Sequence, residues 1–565
     1  MNDKTRTGLA VLQAALALGI VGDKLLRAWP WGVNVLLWVG ALVGVTVWLA
    51  RGHRARALRA EGAWLYAPAL FFAAAFAWRD SATLKFLDVL ALLLALALTA
   101  WHARGHTIAR GGVVDYATGL ATAAFSAAFE ALTLVFGDIE WKNIPRSGWT
   151  KHAFAIARGL ALALPLLLIF GGLFVAADAV FSGIIKNTFN FNPEQLVLHG
   201  IVIGCLTYGV AGFLRGAMLG GSLSFANATQ SDLVSSTKTQ AAGLGLADAP
   251  NAPTAPASVV WRPSLGAVEI GIILGLLNLL FFWFVVVQIK YFFGGAEGMQ
   301  AAEMSFAEYA RSGFFELVTV AALVLPILLA SHWLMRQEKN WHKHFFSVLA
   351  GLQIILLFVI MYSAVSRMRL YQSEYGQTEL RLYTTVFMGW LALVFVWFAA
   401  TVLRGQREQF ACGALALAFT VLAGLHFFNP DAHIVRSNVA HAQHERYFDA
   451  AYASGLSADA VRELLAAQPL LDRAGQCLVA NRLRERWTDG ESWLSWNWSR
   501  SAARGLVNAQ TAQFDALNCP KPDLTRSDAE AVPEARSLST QTVTEPTPAT
   551  NANAPAPERE KRQRR

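Results

Sequence analysis

Charge is scarce in this chain. Asp, Glu, Lys and Arg make up 15% of its 565 residues, against about 25% in an ordinary soluble protein. The deficit lies before residue 430, where apolar runs approach the roughly 20 residues that cross a bilayer. Over that length a soluble protein is excluded. Catalytic punctuation is missing as well: no Walker loop, GxSxG elbow, Rossmann glycine pattern, kinase set or HExxH occurs. The sequence therefore leans away from an enzyme, and it calls for no cofactor and no metal. No basic helix interleaved with aromatics appears, so the net charge of +8 does not indicate nucleic acid. No small-x-small cleavage site follows the apolar run Leu9–Val21, which reads as a short first span or signal anchor.

What is present is a series of apolar segments separated by short loops. Eleven spans are expected, at 8–22, 31–50, 63–78, 84–101, 159–178, 196–220, 267–289, 314–334, 345–362, 384–402 and 411–428. The fold class is all-α: a polytopic membrane protein with a small helical C-terminal extramembrane domain. With the N-terminus in the cytoplasm, the inner segments hold about 19 Lys and Arg and the outer loops about 9. Arg51, Arg54, Arg56 and Arg59 form the clearest inner anchor, and Arg336, Lys339 and Lys343 another. This orientation puts the C-terminal domain outside.

Residues 113–137 are moderately apolar but carry Asp115 and Glu130. If they crossed, the basic stretch Lys142, Arg146, Lys151 and Arg158 would lie outside. They read as an interfacial or re-entrant helix, with Phe125, Phe129, Leu132 and Phe136 at helical spacing. The expected organisation is a four-span block at 1–112, the helix and basic loop at 113–158, two spans at 159–220 and a flexible linker at 221–266. A five-span block at 267–428, a helical extracytoplasmic domain at 429–520 and a disordered tail at 521–565 follow. In the domain, Ser457 suits a helix cap, and Trp487, Trp493, Trp496 and Trp498 are candidate core residues. Cys205 and Cys412 fall in spans. Cys477 and Cys519 fall in the domain, where an oxidising compartment would allow a disulfide; two unpaired small hydrophobes is the alternative.

Several constellations invite interpretation. Gly212, Gly216 and Gly220 form a GxxxGxxxG ridge, and Gly40/Gly44 and Gly271/Gly275 repeat the spacing. Small residues four apart let helices approach closely, within one bundle or in a homo-oligomer. Pro165 and Pro326 interrupt two spans in similar settings, ALALPLLL and ALVLPILL. Asp88, Asp178, His199, Arg215, Glu269 and Glu316 lie in or beside apolar runs, where charges must pair, face a cavity or reach an interface. Snorkelling is the reading for Asp178, Arg215 and Glu269. His433, His441, His444 and Glu445 lack a ligand framework and read as a solvated helix.

The least generic stretch is Phe306–Leu317, FAEYARSGFFEL, where a charged aromatic loop runs into an apolar helix. With LFVAADAVF at 173–181, Asn429-Pro430-Asp431 followed by Asn438, and YASGLSADAV at 452–461, it resembles a bacterial multi-pass membrane family, domain of unknown function 4173, and its relative 4153. The likeness runs from about residue 150 to 500 and implies the bundle with its C-terminal segment, but no activity. It singles out Asp178, Tyr309, Arg311, Glu316 and Asn429 as a candidate polar site near the outer surface, with Glu308 or Asp178 as partner for Arg311. Two readings follow: a transporter-like protein with an outward-facing polar site, or a non-transporting envelope sensor or scaffold acting through 429–520. Partners are the lipid bilayer and, in the second reading, an envelope protein. A membrane enzyme acting on lipid has no motif behind it.

Overall fold

The structure, a computed structural model, describes residues 2–52, 63–103, 108, 111–141, 193–219, 266–293, 314–335, 340–442, 448–488 and 490–520. Eleven bundle helices are α1 (Asp3–Leu26), α2 (Val33–Gly52), α3 (Tyr66–Trp78), α4 (Ala82–Ala103), α5 (Val113–Thr133), α6 (Pro193–Leu219), α7 (Ala267–Phe293), α8 (Phe314–Leu334), α9 (Asn340–Tyr375), α10 (Glu379–Thr401) and α11 (Phe410–Phe428). All but α3 and α5 are long and apolar enough to cross a membrane, giving nine such helices among the described residues. The expected span at 159–178 lies outside them. On α7, Leu276, Leu279, Leu280 and Trp283 are each more than half exposed. Such a face is stable against hydrocarbon and costly against water.

The bundle has two distinct ends. At one end lie the α1–α2, α3–α4 and α9–α10 links and the C-terminus of α11. Each of these is hydrogen-bonded to residues after 428: Val33 N–H donates to Trp496 O, Asp80 N–H to an Asp459 oxygen, and Gln377 N–H to Asn438 Oδ1. Asn429, which ends α11, donates to Asp459 O. At the opposite end, Leu65, Leu98, Trp101 and Ile108 pack with Ala411 and Cys412 at the start of α11. The N-terminus of α1 lies at this same end. Helix α3, only 13 residues long, reaches from Leu65 at the open end to Trp78 under the cap. Helix α9 has 36 residues, about 54 Å at 1.5 Å per residue. It overshoots the expected span 345–362 and delivers Gly376 to the cap.

Helix α5 runs into a π-helical turn, Leu134–Asp138, and the segments Val113–Ala124 and Phe129–Asp138 meet at 53°. At one extremity Tyr116 donates to Ile108 O and its ring meets Trp101 at 5.0 Å. At the other, Asp138 pairs with Lys4 at 2.9 Å. Both extremities therefore contact the open end, while Ala123 and Ala124 between them sit beside Leu93 and Cys205.

The glycines of the expected ridges differ in their surroundings. Gly40, Gly44 and Gly275 face open space, with nothing within 4 Å of a built Cβ. Close approach occurs instead at Gly19, where a Cβ would lie 3.0 Å from Ile203 O and collide with Thr207, and at Gly271, where it would lie 2.7 Å from a Phe345 ring carbon. Gly212 and Gly216 are buried in α6, and Gly220 lies outside the described residues. Pro326 sits inside α8, and Pro165 lies outside the described residues.

The C-terminal cap comprises α12 (Pro430–Ala442), α13 (Ala450–Gly455), α14 (Val461–Ala467), α15 (Arg473–Trp487), α16 (Trp498–Ala509) and α17 (Thr511–Ala516). Side chains of Asp449, Ser457, Asp472 and Asn497 each accept a backbone N–H at a helix or turn start. The core joins Ile434, Val435, Leu464, Val479, Leu483, Val507 and Phe514 to Leu382 of α10. Of the four candidate core tryptophans, only Trp487 is buried. Trp493, Trp496 and Trp498 are 71%, 40% and 61% exposed. Bundle and cap belong to one compact unit, Met1–Asn518; the second unit, Cys519–Arg565, is described only at Cys519 and Pro520. Cys205 and Cys412 are free.

Candidate functional site

The densest polar region lies where the cap meets the bundle. Asp459, in the turn Ala458–Ala460, collects donors from the α3–α4 link. Its Oδ2 accepts from Asp80 N–H (2.7 Å) and Ser81 N–H (3.1 Å), and its Oδ1 pairs with Arg79 (3.2 Å) and accepts from the Ser499 hydroxyl. Charge-assisted bonds of this kind are about twice as strong as neutral ones. Asn497, fully buried, donates to the carbonyls of Phe76 (2.8 Å) and Arg79 (2.9 Å), and Ser499 donates to Trp78 O. The last carbonyls of a helix have no internal partner. Here the cap supplies them, which lets α3 stop after 13 residues.

Arg500 is the second clasp. It is 4% exposed and bonds Asp80 (2.7 Å), Glu491 (2.6 Å) and the carbonyls of Trp31 and Ser495. Asp80 also holds Lys85 (2.7 Å), and Glu491 also holds Arg504 (2.7 Å). A third clasp is Asn438, whose amide pairs with both backbone groups of Gln377, beside a Glu379 N–H that donates to Tyr452 OH.

Beneath the clasps, inside α4 and α11, Asp88 Oδ1 lies 2.9 Å from His426 Nε2, the two side chains being 1% and 0% exposed. The ring stacks on Trp78 and meets Phe71 and Phe72 edge-on or tilted. Asp88 Oδ2 and His426 Nδ1 have no hydrogen-bond partner among the described residues, so the pair has unused capacity for a proton or a polar ligand. Arg79 Nε donates to His426 O (2.7 Å), linking this pair to Asp459.

Asp431 sits between these layers, 1% exposed, with the Ser457 hydroxyl on its Oδ2. Burial pushes its carboxyl up from 3.8 to about 6; Ser457 opposes the rise, and Glu379 and Asp459 add to it. The folded pKa lies above the unfolded one, so folding favours the protonated form and stability falls as pH rises from about 4 to about 6. A shift of roughly two units corresponds to about 3 kcal/mol. Asp431→Asn is therefore expected to gain stability over the native chain progressively across that window. Thermal unfolding in detergent at both ends of the window checks this, and equal differences at both ends would contradict it.

Two further charge clusters lie elsewhere. Near the capped end, His199 Nδ1 lies 2.5 Å from Asp23 Oδ2, with Arg27 against the same ring. At the open end, Arg215 is 1% exposed and pairs with Asp138 (2.5 Å) and Glu130 (3.7 Å). Arg215 thus does not snorkel: α5 and its π turn bring two carboxylates to it. Glu269 accepts from Gly266 N–H and caps α7.

Of the residues singled out from sequence, Asp178, Glu308, Tyr309 and Arg311 lie outside the described residues, as do His444 and Glu445. Glu316 falls in the first turn of α8, its side chain not described. Asn429 belongs to the seam: it takes a left-handed conformation (φ 56°) that ends α11, and bonds Asp459 O and Ala432 N–H. Asp88 is also in place. Sequence reasoning missed Arg79, Asp80, Asp459, Asn497 and Arg500. The signals available were a charged pair between two apolar runs, RDS at 79–81, and the SADA and NWSR turns. No group of three His, Cys, Asp or Glu suited to a metal occurs among the described residues.

The chain matches the family described as domain of unknown function DUF4153 over residues 66–467 and belongs to it. Of the two related families that the sequence resembles, this is the second. The matched region opens at the first residue of α3 and closes at the last of α14, so it contains Arg79, Asp88, His426 and Asp459 and leaves out Arg500. No curated protein and no solved structure matches the chain.

Proposed function

We propose that this DUF4153 member is a transporter-like protein of the bacterial cytoplasmic membrane whose polar site lies at the seam between bundle and cap, facing outward. The observation that carries the reading is the Asp88–His426 pair, fully buried within two spans and holding unpartnered atoms. An ionisable pair costs several kcal/mol in such a place and marks an ion or substrate pathway by default. The charge pattern supports the orientation. The open end gathers the segments richer in Lys and Arg, which favour the cytoplasm. A disulfide between Cys477 and Cys519, which the sequence allows, would require an oxidising compartment. In the same orientation α5 and its π turn form a re-entrant element on the inner side, held by Arg215.

Reconstitution in liposomes with an imposed pH gradient tests the reading across a panel of ions, sugars, amino acids and organic anions. The expected result is flux of at least one solute that follows the gradient and is lost in Asp88→Asn. No gradient-dependent flux for any solute, or flux unchanged by Asp88→Asn, overturns it.

A second reading, an envelope sensor or scaffold, draws on the exposed Trp493, Trp496 and Trp498 of the cap. Removing residues 429–565 does not test it cleanly, because deletion strands the α3–α4 link. Trp493→Ser with Trp498→Ser leaves the clasps intact. Loss of a co-purifying envelope protein in that variant, without loss of flux, would favour the sensor reading.

A further inference from the structure

We propose that the cavity between α2, α4, α5 and α6 holds an acyl chain of a bilayer phospholipid. The cavity measures about 440 Å³, within the range of small-molecule sites and more than one intruding side chain fills. Leu93, Ala97, Ala124, Gly209 and Phe213 form much of its wall. Leu93 and Cys205 fall near the middle of α4 and α6, so the recess lies at mid-height of two spans, within the hydrocarbon layer. Leu93 is 59% exposed, and Cys205 and Gly209 are exposed too, so the mouth is continuous with the lipid-facing surface.

The chemistry selects the occupant. Water needs two to four polar partners to stay in a cavity. Among the described residues the side-chain polar groups are the Cys205 thiol and the Trp38 indole, and the indole already donates to Leu18 O (3.2 Å). A free fatty acid would bring a carboxylate to a wall that carries no cation among the described residues. An empty recess would forfeit dispersion contacts on every side. A phospholipid chain restores those contacts while its headgroup stays at the interface. The assignment is independent of the transport reading, since none of these residues belongs to the seam.

Gly209 offers a clean test, because a built Cβ there meets nothing within 4 Å. Gly209→Leu puts a side chain into the recess from α6, and Ala97→Leu fills it from α4. The full-length protein is placed in phosphatidylcholine nanodiscs containing a phosphatidylcholine with a diazirine near the end of one acyl chain. After photolysis, labelled peptides are mapped by mass spectrometry. Labelling of the α4 and α6 cavity peptides is expected to exceed that of the exposed α7 face (Leu276, Leu280) several-fold, and to drop to the α7 level in both variants. Size-exclusion and thermal unfolding profiles show that each variant is folded. Equal labelling of cavity and α7, labelling unchanged by both substitutions, or protection of the cavity by a second copy in a dimer would each overturn the proposal.

Discussion

Replacing Arg500 with methionine is expected to destabilise the protein by about 3–5 kcal/mol, because breaking a buried ion pair leaves its partners charged and uncompensated. Arg500 reaches two acids, the Trp31 carbonyl of the α1–α2 link and the Ser495 carbonyl of the cap. Without it, Asp80 keeps Lys85 and Glu491 keeps Arg504, but neither partner crosses from cap to bundle. The loss should therefore appear first at the seam. Limited proteolysis is expected to release 429–520 as a fragment before the bundle unfolds, and the thermal midpoint should fall. A double substitution, Arg500→Met with Asp80→Asn, removes both charges and should cost less than the sum of the two single changes. If Arg500→Met shifts stability by no more than a surface substitution, about 0.5 kcal/mol, the clasp is not what seats the cap.

The second large effect is expected at Asp88. Asp88→Leu leaves the buried His426 ring among Phe71, Phe72 and Trp78 with no acceptor for Nε2. An unsatisfied buried group costs about 1–3 kcal/mol when neutral and more when charged. His426→Leu should cost a similar amount. The pair of substitutions together is the informative variant, since replacing both members of a buried polar pair by apolar groups is often neutral or stabilising. The double variant is therefore expected to regain most of the thermal stability of the native chain and still to show no pH-driven flux. Recovery of both stability and flux would reduce the pair to a structural tie between α4 and α11.

Hydropathy alone placed most of the bundle, because a crossing helix must be apolar on every side and its length is fixed by the bilayer. Helix α3 departs from that rule. It is short because the cap satisfies its terminal carbonyls, and the residues responsible, Asn497 and Ser499, lie more than 400 positions away. The same separation hid the seam: Arg79 and Asp459 are 380 residues apart and each looks like an ordinary loop charge. Asp88 was legible as a charge out of place, but its partner His426 reads as the end of a span. Arg215 misled for a related reason. Position near a helix end suggests snorkelling, and only the packing of α5 against α6 supplies Glu130 and Asp138. Trp487, Trp493, Trp496 and Trp498 suggest a core by composition, yet the cap builds its core mainly from aliphatic side chains, leaving three of those four rings outward.

The central claim is that the cap covers the outer end of a membrane bundle. Impermeant thiol labelling of intact cells tests it most directly, in a chain carrying Cys205→Ser and Cys412→Ser so that neither free thiol remains. Trp493 on the cap and Glu408 in the α10–α11 link are both exposed and sit at opposite ends of the molecule. Trp493→Cys is expected to be labelled on intact cells and Glu408→Cys only after lysis. Labelling of Glu408→Cys on intact cells, with Trp493→Cys protected until lysis, would contradict it.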